Sequence, residues 1–181
     1  MNTKHVTKVN RRVIRMAVAS TFALCAGSLG GNSYATTATS NLSVTATVAA
    51  NCSISAGTLA FGSYDPVVTN ASAALNGSGT VNVTCTNGTS ATITLGQGSN
   101  PAGGSTDAAP ARQMANGANR LSYDLYSDAA RTTVWGNTAG TGLGHTGTGA
   151  AVALTVYGSV PGGQNKPAGS YSDTVVATVT F

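Results

Sequence analysis

Few side chains in this 181-residue chain could transfer a proton, attack a substrate or hold a metal ion. Beyond residue 35 the one histidine is His145, set in the run Gly144-His145-Thr146-Gly147. A serine, histidine and aspartate triad needs a nucleophile presented to the histidine, and no nucleophile-elbow motif is present. We therefore expect His145 to lie in a flexible loop rather than in a catalytic site.

Carboxylates and metal ligands give no stronger signal. Asp124 and Asp128 are close enough in sequence to form an acid–base pair, but both lie beside a predicted turn, where aspartate commonly bonds its own backbone. Zinc needs three or four cysteine, histidine or carboxylate ligands, and the glycine motifs that bind phosphates or dinucleotides are missing. The sequence predicts no catalytic residue, metal site, cofactor or enzyme activity.

The N-terminal region has the order of charged, apolar and small residues that is typical of a secretory signal. An apolar run from Met16 to Leu29 ends in small residues near Ala35, and basic side chains precede it at Lys4, Lys8, Arg11, Arg12 and Arg15. The run is shorter than the about 20 residues that a membrane span needs. We predict a signal peptide over residues 1–35, export through the periplasm and no membrane insertion. Lipid attachment at Cys25 is the alternative.

The formal charge of +4 comes from this leader. In the remainder the five aspartates outnumber the basic side chains, which are Arg112, Arg120, Arg131 and Lys166. The basic residues therefore serve export, and no nucleic-acid partner is predicted.

Two cysteines, Cys52 and Cys85, remain after the leader. An even pair in an exported protein predicts a disulfide, because the compartment outside the inner membrane is oxidising. Two unpaired buried thiols are the alternative.

The elements that would position any site are strands. After the leader there is no glutamate and one lysine, and residues that suit turns and strands separate short apolar runs. The length of residues 36–181 suits one domain, and the pattern predicts an all-β sandwich with long surface loops at 96–111 and 136–149. Predicted strands are 36–50, 52–61, 79–86, 91–95, 121–125, 152–158 and 171–181, with Asn87-Gly88 as a two-residue hairpin turn.

The first of these strands is the most informative. Leu42, Val44, Ala46 and Val48 alternate with serine and threonine, so one face is apolar and the other carries hydroxyls. Alternation alone leaves open whether this strand joins its own sandwich or the sheet of a neighbouring molecule.

Aromatic residues offer one binding alternative. Trp135 and Tyr157 could form a platform that stacks on sugars, or could belong to the core. In the first case the chain would be a secreted, self-complete β-sandwich that binds glycans through loop aromatics.

Three runs in the second half of the chain resemble a known family. They are Leu121–Asp128 with Val134-Trp135-Gly136, Tyr157–Gln164, and Pro167–Thr174. These runs are similar to the spore coat protein U domain family, which includes the major pilin subunits of archaic, Csu-type chaperone–usher pili. The resemblance covers essentially the whole chain after the leader.

The resemblance implies an incomplete immunoglobulin-like β-sandwich, completed by a donor strand from a neighbouring subunit. The donor would be Thr39–Ala49, with Leu42, Val44, Ala46 and Val48 entering the neighbour's groove. Cys52 and Cys85 would match the family's cysteine pair. The closing strand would border the groove and contact the chaperone and the next subunit through Val175, Ala177, Val179 and Phe181.

The expected domains are therefore a signal peptide (1–35), a donor-strand extension (36–50) and a pilin domain (51–181). The expected partners are a periplasmic chaperone, an outer-membrane usher and neighbouring subunits in a head-to-tail polymer. The resemblance implies an extracellular fimbria for surface attachment and biofilm formation. A spore or cyst coat protein built from the same domain is the alternative.

Overall fold

A computed structural model describes residues 34–181 of the chain. The predicted signal peptide, residues 1–35, lies outside them except for its last two residues. Across residues 34–181 the chain forms no helix, and so none that is long and apolar enough to cross a membrane. The chain divides after Val44, and the unit Thr45–Phe181 contains all the strands that the structure describes.

The described strands are β1 Cys52–Ala56, β2 Leu75–Cys85, β3 Ser90–Leu95, β4 Arg112–Asn116, β5 Asn119–Tyr126, β6 Leu143–Thr146, β7 Ala151–Val160 and β8 Ala177–Thr180. They form two antiparallel sheets. One has five strands in the order β1-β2-β7-β5-β4, and the other has three in the order β6-β3-β8. The prediction of an all-β sandwich is confirmed.

One core lies between the two sheets, because alternate side chains of each strand point to the same face. In β2 the inward residues end in Val81, Val83 and Cys85, as the alternation predicts. The other buried hydrophobic side chains of the strands are Ala91, Ile93, Leu95, Leu121, Tyr123, Leu125, Val156 and Val160, and the last of these lies beyond the predicted strand 152–158.

The Asn87-Gly88 turn does not join a hairpin, and that prediction is wrong. Gly88 has the positive φ of 80° that such a turn uses, but the strands on either side enter different sheets. β2 is paired with β7 as far as Thr84 and with β1 as far as Cys85, so it has no free edge for β3. The turn therefore carries the chain across the sandwich.

The predicted loop 136–149 contains a strand, β6, which is also a correction. β6 pairs with β3, with His145 opposite Ala91. Glycines flank it because the backbone passes close to its neighbours: a Cβ at Gly142 would lie 2.7 Å from the Thr92 Cγ2 atom, and one at Gly147 would collide with the Thr86 carbonyl oxygen. The other predicted loop, 96–111, has no strand.

Two predicted strands are shorter in the structure, and one strand of the structure was not predicted. The strand predicted at 52–61 ends at Ala56, and in 171–181 only Ala177–Thr180 forms a strand. The strand β4 was not predicted at all. It forms a two-residue hairpin with β5, since Asn116 pairs with Asn119 around Gly117-Ala118.

Candidate functional site: an apolar groove and an unpaired strand

An open groove runs between two irregular segments of the sandwich. We call residues 57–66, which follow β1, the strap wall. We call residues 166–177, which lead into β8 and include its first residue, the closing wall. The groove contains a first cavity of about 490 Å³, whose lining includes Leu59, Phe61 and Val175. Its floor is formed by core side chains, among them Val81, Leu95, Tyr123, Leu125 and Val156.

A second cavity of about 590 Å³ continues the groove toward the start of β2. Its floor includes Leu75, Leu121 and Val160. The two cavities have four lining residues in common, which we call the waist: Leu59, Phe61, Met114 and Tyr171. The groove is therefore a row of two adjoining pockets, of which the first has the more apolar lining.

Glycines under the strap wall produce the waist. A Cβ at Gly79 would lie 2.9 Å from the Leu59 Cβ atom, and one at Gly158 would lie 2.7 Å from the Phe61 Cζ atom. Without side chains at these inward positions, Leu59 and Phe61 settle onto the sheet. They fill part of the interior there and leave space on either side.

From Tyr171 onward the closing wall runs in line with β8, and its residues are alternately half-buried and exposed. Val175, Ala177 and Val179 are half-buried and pack against the core, while their neighbours in the chain are exposed. Of the predicted groove-edge residues, Val175 and Ala177 line the first cavity, Val179 pairs with Ile93, and Phe181 is 55% exposed. β8 pairs with β3 on one side, and within residues 34–181 no strand pairs with its other edge.

A carboxylate fixes the closing wall from behind. Asp173 accepts hydrogen bonds from the Ser99 amide (2.9 Å), the Asn100 side chain (3.1 Å) and the Tyr123 hydroxyl (2.7 Å). Burial, and then the hydrogen bond to Asp173, raise the pKa of Tyr123. The Tyr123 hydroxyl therefore keeps its proton and remains a donor to the carboxylate.

The predicted donor segment pairs with no strand in the described part of the chain. Residues 34–51 form no strand themselves, and all of them are exposed. At the end of the segment the Ala49 carbonyl accepts a hydrogen bond from the Thr86 hydroxyl at 3.4 Å. The three large apolar residues of the predicted donor are 84–87% exposed: Leu42, Val44 and Val48. Ala46, the fourth, is exposed as well. The segment therefore has an alternating apolar face that no sheet covers.

The base of this segment is fastened to β2. A disulfide joins Cys52 to Cys85. Just before it, the Thr86 amide donates to the Asn51 carbonyl at 2.9 Å, and the Asn51 amide donates to the Thr86 hydroxyl at 3.1 Å. The β1–β2 pairing is thereby extended by one residue beyond the cysteines.

The residues considered for chemistry do not form a site. His145 lies on β6 rather than in a flexible loop, which corrects the prediction. Asp128 accepts hydrogen bonds from the Thr132 and Thr133 amides, and the bond from Thr133 is the main cause of its lowered pKa. Asp124 lies within β5, where burial raises its pKa. Within residues 34–181 no group of three or more His, Cys, Asp or Glu side chains could hold a metal ion.

The glycan platform at Trp135 is contradicted. Trp135 is completely buried, and its indole nitrogen donates to the Ile93 carbonyl at 2.8 Å. A ring between two sheets cannot stack on a sugar, so Trp135 is a core residue.

Sequence reasoning missed the part that Tyr123 and the strap wall have in the groove, and it missed the burial of Arg112, the first residue of β4. Arg112 had one signal, since it is one of few charges in the chain. Tyr123 was predicted as an inward residue, but its bond to Asp173, fifty positions away, leaves no local pattern. The glycines that contact Leu59 and Phe61 are also distant from them in the sequence, at positions 77, 79 and 158.

Comparison with known proteins identifies the family. The model of the Spore Coat Protein U domain matches residues 38–178. The chain belongs to that family. It is 51% identical over 176 residues to Protein U of Myxococcus xanthus, and the match covers 93% of this chain and 98% of Protein U.

Solved structures show the same fold. One chain in the crystal structure of the CsuC–CsuE chaperone–tip adhesion subunit pre-assembly complex, from the archaic chaperone–usher Csu pili of Acinetobacter baumannii, matches with a TM-score of 0.53 at 22% identity. The match covers 75% of the present chain and 40% of that chain. The Spore Coat Protein U domain and the pilus-subunit fold are structural and non-enzymatic, so the prediction that the chain is not an enzyme is confirmed.

Proposed function

We propose that the chain is a pilin-type structural subunit, in which residues 39–49 of one copy fill the groove of the next. One observation carries the proposal: the same chain has an open apolar groove and an exposed segment of alternating apolar residues that pairs with no sheet. Each copy supplies one donor and one acceptor, so the contact is head-to-tail and the polymer is open-ended.

The donor and the groove match in length. The groove floor extends along β2 from Leu75 in the second cavity to Val81 in the first. The inward donor residues extend from Leu42 to Val48, over the same number of positions. Both stretches measure roughly 20 Å at about 3.3 Å per residue. Four inward donor residues can therefore face the four inward floor positions of β2.

Burial would drive the exchange. The inserted strand would pair with the free edge of β8 and its continuation, while its apolar side chains enter the cavities. Fully burying a valine or leucine side chain contributes about 1.5–3 kcal/mol. The donor has no charge, so none of its side chains has to be desolvated as an ion. The charged residues of the lining are Asp173 in the first cavity and Lys166 in the second.

The size of one donor residue fits the waist. Leu59 and Phe61 lie above Gly77 and Gly79, the middle inward positions of β2. The middle inward positions of the donor are Val44 and Ala46, and we assign the smaller one, Ala46, to the waist. Its methyl group leaves room for the waist side chains, while the larger donor residues fill the cavities.

We expect Ala46→Leu to reduce polymer formation about tenfold, because overpacking costs about 1–3 kcal/mol and 1.4 kcal/mol is a factor of ten. The matched control is Val44→Leu, which enlarges a neighbouring inward residue and should stay within about threefold of the natural chain. Polymer yield after timed assembly measures both. Equal yields for the two variants would refute the assignment of Ala46 to the waist.

An empty groove is a hazard before assembly. Its apolar lining and the unpaired edge of β8 would promote aggregation. We infer that a periplasmic chaperone covers the groove until the donor of the next subunit replaces it at an outer-membrane usher. The similarity to a chain from a chaperone–subunit complex supports this inference. The product would be an extracellular fimbria that serves surface attachment and biofilm formation.

The state of the exported protein tests the proposal. Purified after export, it should run in detergent without heating as a ladder of polymers, and boiling should reduce the ladder to one band. The self-complete sandwich predicts a monomer at every concentration instead. A monomer with normal stability and no bound chaperone would contradict strand exchange.

A coat protein is the second candidate, favoured by the 51% identity to Protein U and by the family match. The same strand exchange would then build a layer on the cell or spore. Electron microscopy of labelled cells distinguishes the two: the pilin predicts thin fibres that project from the surface, and the coat protein predicts a continuous layer.

A further inference from the structure

Tyr123 is in contact with both walls of the groove. Its ring meets the ring of Phe61 on the strap wall edge to face, with centroids 6.0 Å apart at 64°. Its hydroxyl donates to Asp173 on the closing wall at 2.7 Å. Tyr123 itself is 5% exposed in β5, on the floor of the first cavity. A single floor side chain thus connects the two sides of the groove.

Each wall is anchored separately at the residue that Tyr123 contacts. Phe61 is pressed onto the five-stranded sheet, where a Cβ at Gly158 or Gly77 would meet its ring at 2.7 or 3.1 Å. Asp173 is held by Ser99 and Asn100, and a Cβ at Gly98 would collide with its carboxylate. Ser172, next to Asp173, also exchanges two backbone hydrogen bonds with Ala115 of β4, at 2.8 and 3.1 Å, and these tie the closing wall to the five-stranded sheet. Tyr123 adds a side chain that is in contact with both walls.

We propose that Tyr123 is a positioning residue that sets the distance between the walls and keeps the empty groove ready for a donor strand. The proposal rests on strand donation as the function of the groove. A strand placed between two neighbours needs about 4.8 Å on each side, so a wall that shifts by an ångström or two spoils the hydrogen bonds on one edge. Preorganisation of this kind reduces the conformational entropy that the walls lose when the donor binds.

The role should be restricted to the empty subunit. Once a donor is in place, its backbone pairs with the closing wall and its side chains support the strap wall. The walls are then held by the donor, and the Tyr123–Asp173 bond becomes redundant for spacing. Loss of the bond should therefore slow donor uptake without accelerating donor release, whereas a residue that only stabilises the fold would affect both.

The test measures uptake and release of a labelled synthetic peptide of residues 39–49. The full chain is refolded by dilution at low concentration with the peptide in excess. For Tyr123→Phe, which keeps the ring but loses the hydroxyl, we expect uptake about tenfold slower and release within twofold of the natural chain. This is the scale of one lost hydrogen bond to a charged group.

The matched control is Tyr126→Phe. Tyr126 lies on the same strand as Tyr123 but lines neither cavity, and its hydroxyl donates to the Asp124 carboxylate at 3.5 Å. Its uptake and release should both stay within twofold.

Asp173→Ala should slow uptake at least as much as Tyr123→Phe does, because it also removes the bonds from Ser99 and Asn100. The double variant should be no slower than Asp173→Ala alone, because the Tyr123–Asp173 bond is already lost in that variant.

The outcomes separate this proposal from the function on which it rests. Uptake by Tyr123→Phe as fast as by Tyr126→Phe, release accelerated as much as uptake is slowed, or additive effects in the double variant would each overturn the positioning role. Failure of the natural chain to take up the peptide would instead overturn strand donation itself.

Discussion

Deletion of residues 36–49 is expected to give a subunit that never occupies a neighbour's groove. The deletion removes all four inward donor residues and keeps Cys52, so the disulfide to Cys85 and all eight strands remain. The variant retains an empty groove and should still bind a chaperone. In detergent without heating it should run as a single band where the natural chain forms a ladder.

The same variant should act as a chain terminator when it is mixed with the natural chain. It can accept a donor strand but has none to pass on, so each incorporated copy ends a polymer at that point. Mean polymer length should fall as its share rises. Added peptide of residues 39–49 should raise its thermal midpoint with concentration, because a ligand that binds only the folded state stabilises it.

A matched control changes the outward face of the donor. Thr45→Ala and Thr47→Ala keep Leu42, Val44, Ala46 and Val48, and should assemble as the natural chain does. A normal ladder from the deletion variant would refute the assignment of the donor strand. Loss of the ladder in the outward variants would show that the segment acts through hydroxyl contacts rather than through burial.

Local alternation was enough to predict which side chains form the core. Val81 and Val83, or Leu121 and Leu125, are buried because a strand has a period of two, and that period is visible in the sequence. The sequence did not show which strand pairs with which. Asn87-Gly88 indicates correctly that the chain turns, but which sheet β3 joins depends on β7, which begins more than sixty residues later and occupies the edge of β2.

The groove was implied by the resemblance to the family, and its shape was not. The waist depends on Leu59 and Phe61 lying over Gly77, Gly79 and Gly158, and these residues belong to three separate segments. The glycines of 136–149 were misinterpreted for a related reason. Their composition predicts mobility, whereas the structure uses them where one backbone passes close to another.

Outside the donor segment, we expect the replacement of Arg112 to cause the largest loss in the free energy of unfolding. Its side chain is 1% exposed in a chain with few charges. Its guanidinium donates to three carbonyls at 2.8 Å each, those of Leu95, Gly96 and Trp135. These bonds join β4 to the end of β3 in the opposite sheet and to the segment that carries the buried tryptophan. Burial lowers the pKa of Arg112, against the attraction of the Asp124 and Asp173 carboxylates.

We expect Arg112→Met to lower the free energy of unfolding by about 3–5 kcal/mol. The apolar replacement removes the buried charge but takes the Arg112 donors from two buried carbonyls and one that is partly buried, and each buried group left unsatisfied costs about 1–3 kcal/mol. Arg112→Lys should be comparably destabilising, because an ammonium group on a straight stem cannot reproduce the planar set of donors. Equilibrium unfolding in denaturant measures the change, and an unchanged slope would show that only stability differs.

Arg120→Met is the matched control. Arg120 lies on the neighbouring strand β5, but its guanidinium donates to the carbonyls of Gly117 and Asn119 within its own hairpin, near the surface. Its loss should cost less than about 1 kcal/mol, as is usual for surface substitutions. Equal losses for the two variants would mean that the carbonyls around Arg112 are satisfied without it. A large loss for Arg112 alone would identify the cross-sheet bonds as what holds the end of β3, and hence the start of the loop that carries Ser99 and Asn100 to the closing wall, in place.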